Sequence, residues 1–145
     1  DTGQKIDSNE AEKPETGISF DTWETWHREM DDMAGHGKQI STWIERLNNA
    51  LEGMGRPFAF RVDRAIRAYV ANYPRDEAEW HRLAMADQIE QRIFPKIRGI
   101  ETEFNNAELL EIGRVIDELG DGKLKEAFKS SHDSQPTFMF RGIVR

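Results

Sequence analysis

Four arginines, Arg56, Arg61, Arg64 and Arg67, fall within twelve residues, and a second basic group, Arg92, Lys96 and Arg98, surrounds Phe94-Pro95. Either group could bind phosphate. A guanidinium presents a planar fork of donors that pairs with two phosphate oxygens at once, and it keeps its charge at any physiological pH. Arg61 stands apart because it directly follows Phe58-Ala-Phe60. Two aromatic anchors there would hold its backbone at the start of a helix, so a positioned guanidinium could report on a transferring phosphate. Arg64 and Arg67 read as solvated helix surface, paired with Asp63 or nearby acids.

The remaining chemistry-bearing residues form no complete site. Gly35-His-Gly-Lys38 suggests a phosphate loop, but Asp32 stands where the first glycine belongs and Gln39 where Ser or Thr would bind magnesium. It reads as a turn between helices. His27, His36, His81 and His132 occur singly, without Cys or an HExxH pattern, so no metal site is expected. His81 beside Trp80 reads as a surface or boundary residue. Asp31/Asp32 and Glu108/Glu111 read as solvated faces or helix-start charges in a chain with 32% charged residues. Trp23, Trp26, Trp43 and Trp80 fall on apolar helical stripes and read as core. With no glycine-rich phosphate loop, acidic Walker-type strand or nucleophile motif, the chain reads as a non-catalytic module.

Composition narrows the setting. The 145 residues, 37% apolar with four Trp and eight Phe, suffice for one core. Residues 1–32 carry ten acids against three bases and residues 33–145 seventeen of each, so the net charge of −7 belongs to the N-terminal region. A dedicated DNA-binding domain would be far more basic. Absence of Cys and of any long apolar run excludes a disulfide scaffold and an apolar membrane-spanning helix. A soluble cytoplasmic protein is expected.

The elements that must position these residues follow from apolar spacing. Residues 1–18 form a flexible acidic leader, residues 19–130 a helical bundle, and residues 131–145 a docking tail. Asp21 and Glu24 form a capping box behind Phe20, opening a helix to Met30 that carries Trp23, Trp26 and His27 on one face. Helices are expected over residues 40–54, 60–73 and 76–94, the last capped by Asp76, carrying Trp80, Leu83, Ile89 and Ile93, and ended by Pro95. A fifth begins at Asn105 or Asn106 and carries Leu109, Leu110, Ile112, Val115, Ile116 and Leu119; a shorter one surrounds Leu124 to Phe128. The tail from Thr137 either docks on the body or adds a strand to a neighbour. The fold class is all-α, an irregular bundle of about five or six helices.

The segments Trp43-Ile-Glu-Arg-Leu-Asn-Asn-Ala-Leu51, Phe58-Ala-Phe-Arg-Val62, Ala65-Ile-Arg-Ala-Tyr69 and Asp87-Gln-Ile-Glu-Gln-Arg-Ile-Phe-Pro-Lys-Ile-Arg-Gly99 together resemble the C-terminal helical lid of McrB-like AAA+ ATPases. The likeness is clearest over residues 38–100, and Ala107–Leu119 and Lys123-Leu-Lys125 look like its weaker continuation. It implies a lid and assembly fragment that couples nucleotide state to ring formation. ATP or GTP with magnesium would bind the complete parent, and Arg61 would be the lid arginine that approaches the phosphates. The implied partners are the AAA+ core, neighbouring ring subunits, a nuclease subunit and, through the full assembly, DNA to be restricted. The start at Asp1 instead of Met is compatible with such a core upstream. The main alternative is a stand-alone helical adaptor or inhibitor whose acidic leader binds a basic partner surface. A small DNA-binding module ranks last, because acids balance bases over the body.

Overall fold

Helix α1, Gly37–Gly53, buries Ile40, Trp43, Ile44, Leu47, Ala50 and Leu51, a stripe at three- and four-residue spacing. Residues 35–134 and 136–143 are described by the computed structural model. Gly55 closes α1 with a φ of 76°, a conformation that disfavours any residue with a Cβ. Helix α2 spans Phe60–Ala71 and ends ahead of Pro74, two residues earlier than the spacing predicts. The leader and the capping-box helix, with Trp23, Trp26, His27, Asp31 and Asp32, lie outside the described residues.

The fourth expected helix differs at both ends. Helix α3 runs Trp80–Gln88 with Glu79, not Asp76, at its N-cap, and Leu83 is 37% exposed, outside the core stripe. Five residues of π-helix, Ile89–Ile93, lead directly into helix α4, Phe94–Ile97. Pro95 therefore does not stop the run. In a regular α-helix its ring would clash with the carbonyl of Gln91 and its missing N–H would break the ladder. The wider π turn relieves that conflict and places Pro95 in the first turn of α4, where an N–H would have no partner anyway.

Helix α5, Asn106–Leu119, buries Leu109, Ile112, Val115, Ile116 and Leu119 and ends at Gly120 with a φ of 77°. Leu110 is 47% exposed and leaves the expected stripe. Helix α6, Gly122–His132, is longer at both ends than expected around Leu124 to Phe128. The side chain of Asp121 caps it by accepting from the N–H groups of Lys123 and Leu124 at 3.0 and 3.1 Å.

Among the described residues the fold is all-helical, as the apolar spacing predicts. Helices α1 and α5 pack antiparallel, since Trp43 meets Glu118 while Gly53 meets Glu108. Helix α2 packs on α3, α3 on α5, and α5 on α6. The tail docks on the body: Gly99 N–H donates to Phe138 O and Phe138 N–H to Ile100 O, each at 2.8 Å, beside an antiparallel bridge between Glu101 and Thr137. Phe138 is fully buried against Phe94 and Phe128. No described helix is long and apolar enough to cross a membrane.

Candidate functional site

The loop between α1 and α2 is braced on both flanks. The carbonyl of Leu51 accepts from Arg56 N–H at 2.8 Å, and Asn48 Oδ1 accepts from Phe58 N–H at 2.8 Å. The half-buried Phe58 packs against the core. Ala59 takes an extended conformation, φ −72° and ψ 154°, and its carbonyl accepts from Val62 and Asp63, which starts α2. Arg61 thus sits in the first turn of a helix, as expected, but of the two expected aromatic anchors only Phe58 packs on the core, and hydrogen bonds hold the rest of the entry.

The four arginines of this segment have different fates. Arg56 Nη1 donates to the Lys96 carbonyl at 2.8 Å, which joins the two basic groups that lie forty residues apart in the chain. Arg67 forks between Asp63 at 2.6 Å and Ser41 Oγ at 3.0 Å, so the expected pairing with Asp63 is present. Arg64 corrects the surface reading: it is only 7% exposed, with its guanidinium 5.4 Å from the centroid of the Phe60 ring. Arg61 is exposed, and among the described residues its guanidinium makes no hydrogen bond or ion pair.

On α2, Arg61, Ala65 and Ala68 follow one another at four- and three-residue steps, which places them on one face, and Asn72 follows four residues on at the C-cap. Ala65, Ala68 and Asn72 line an open groove of about 530 Å³ together with Tyr69, Tyr73, Pro74 and Arg92, and Arg61 lies outside that lining. Tyr69 donates its hydroxyl to Asp87 at 2.8 Å. Burial first, and then that carboxylate, push its pKa up to about 12, so it remains a neutral donor at physiological pH. Arg92 is tied through Nε to Gln88 Oε1 at 3.0 Å. The exposed Arg61 guanidinium can bind an oxyanion, while the cation that lines the groove itself is Arg92.

Residues 21–135, which include this loop and every described helix, match the family model of a domain of unknown function. The chain belongs to the DUF8727 family. No curated protein and no solved structure matches it.

In this DUF8727 domain the other described residues singled out by type belong to α1 and its entry, α3, α5 and α6. Gly35-His-Gly-Lys38 is the entry to α1, with His36 at the N-cap position and Gly37 and Lys38 in the first turn. His81 corrects the boundary reading: it is 3% exposed and stacks on His36 with ring centroids 3.7 Å apart, flanked by Trp43 and Trp80. Trp43 and Trp80 are core, as expected. Glu111 is not simply solvated, because it binds Arg46 at 2.7 Å and Arg114 at 3.1 Å. Among the described residues no three acids or histidines converge as metal ligands.

Proposed function

We propose that this DUF8727 domain is a non-catalytic helical lid and assembly module of a nucleotide-driven machine, as its resemblance to McrB-like AAA+ ATPases implies. In that reading Arg61 meets the phosphates of ATP or GTP held with magnesium by a separate AAA+ core. The rest of the bundle contacts that core and neighbouring ring subunits. A nuclease subunit and DNA are engaged by the full assembly. One observation carries the reading: Arg56, Arg64 and Arg67 are committed to the body, while Arg61, at a braced helix start, is exposed and makes no hydrogen bond or ion pair among the described residues.

The test is Arg61→Ala in the complete protein, which lowers nucleotide hydrolysis or nucleotide-dependent assembly about tenfold or more without changing the melting of the domain. Wild-type values for both would overturn the role. Lys123→Ala, on exposed α6 surface, is the charge control; Arg64 is unsuitable because it is buried. A second reading, the stand-alone adaptor or inhibitor, is favoured by the exposed ring of Phe104. It requires protein binding by the chain with no nucleotide present.

A further inference from the structure

Phe104 is 85% exposed, in the short connection ahead of α5, between the exposed acids Glu101 and Glu103 and the buried Asn105. The connection is held in shape. Glu101 Oε1 accepts from Phe104 N–H at 3.1 Å, and Asn105 Nδ2 donates to the Glu101 carbonyl at 2.9 Å. A large apolar ring on a braced loop loses little conformational freedom when it docks, and such aromatic side chains dominate the energetics of interfaces.

The same molecule carries a cleft of complementary character between α5 and α6, about 270 Å³ in volume. That is smaller than the roughly 300–1,000 Å³ typical of sites for drug-sized ligands, and it suits one large side chain. Its floor is apolar, built from the 47% exposed Leu110 together with Ile116 and Phe128. Gly113 lets Phe128 lie close to α5, since a Cβ at that position would come within 3.2 Å of the ring. The rim carries Arg114, Lys125 and Lys129 against the single acid Asp117. Each cation has a partner, Glu111, Asp117 and Asp133 respectively, at 3.1–3.2 Å. Exposed pairs of this kind are weak and exchange readily for an incoming carboxylate.

We propose that the occupant of this cleft is a second copy of the chain: Phe104 of one copy inserts between α5 and α6 of another, and Glu101 and Glu103 meet Lys125, Lys129 and Arg114. An aromatic ring flanked by acids fits an apolar floor with a cationic rim, and both halves of the match are present in every copy. The contact uses neither Arg61 nor any residue that lines the groove on α2, so it stands or falls independently of the nucleotide reading.

Sedimentation of the full chain over a concentration series tests it, with no nucleotide present. The wild-type chain self-associates, more weakly as salt is raised. Phe104→Ala and Leu110→Asp each weaken association about tenfold or more. Both positions are exposed, so the melting temperatures of the variants stay near wild type. Mixing the two variants restores part of the association, because one supplies an intact ring and the other an intact cleft. A chain that remains monomeric at about 1 mM, a Leu110→Asp variant that associates as wild type, or a mixture that gains nothing would each overturn the proposal.

Discussion

The imidazole of His81 is packed against that of His36, between Trp43 and Trp80, and its Nδ1 is buried with no hydrogen-bond partner among the described residues. Burial first, then the facing His36 and then Arg82 hold its pKa below the ordinary 6.5, with Glu79 opposing them. The unfolded chain therefore binds a proton at His81 more readily than the folded one. Its contribution is intact above pH 6.5 and is lost as the pH falls below that value towards the folded pKa. Melting at about pH 5 is expected several degrees below that at about pH 7.5, and His81→Phe, which keeps an aromatic ring in the stack, should flatten that difference. An unchanged slope in the variant would assign the acid sensitivity elsewhere. At this scale the sequence was a poor guide, because a histidine or an arginine has no intrinsic preference strong enough to announce burial. Arg64 is buried for the same reason: its stem and guanidinium follow whatever surface the neighbouring Phe60 offers.

Between elements, α1 and α5 are joined by a polar clamp above their apolar seam. Glu111 and Glu118 lie seven residues apart on α5, two turns along one face. Glu118 accepts from Trp43 Nε1 at 2.9 Å and pairs with Arg46 Nη1 at 2.8 Å, while Glu111 takes Arg46 Nε at 2.7 Å. Arg82 also donates to the Glu118 carbonyl at the C-terminal end of α5. The hydrogen bond from Trp43 holds the Glu118 carboxyl below its usual range, and that from Arg46 does the same for Glu111. These carboxylates stabilise the fold above pH 4.5, and the contribution is lost as the pH falls through their lowered values. Glu118→Ala strands the buried Trp43 donor and should cost about 1–2 kcal/mol in urea unfolding, with Glu118→Gln milder because it retains an acceptor. The exposed ion-pair part of the clamp adds little to that figure. Apolar spacing was enough to place α1, α2 and α5 along the chain, but this cross-helix pairing depends on antiparallel packing that no local pattern encodes. The π turn before Pro95 was equally hidden: proline reads as a stop unless the helix can widen ahead of it, and packing of Ile89, Ile93 and Phe94 rewards continuation.

Over the whole molecule, the segment from Pro136 to Phe140 closes the bundle by pairing with residues 99–102 and driving Phe138 between Phe94 and Phe128. Phe138→Ala should cost about 3–5 kcal/mol by transfer and cavity terms, read as a lower melting temperature and faster hydrogen exchange at Gly99 and Thr102. Undiminished stability would mean that the tail is ornamental to the fold. Sequence alone determined the helical class of the described residues, the seams of the major helices and the place of Arg61 at a helix start, because repeating apolar residues and the Phe58 anchor act locally on the backbone. It also set Arg61 apart from the other arginines, but it read Arg64 as surface where the structure buries it. Only the tertiary structure decided that Arg56 reaches Lys96, that Arg64 and His81 are buried, that the tail docks instead of extending, and that a cation-rimmed cleft lies between α5 and α6. Each of these joins residues far apart in the chain or sets the depth of a polar side chain, and both depend on which surfaces meet when the helices pack.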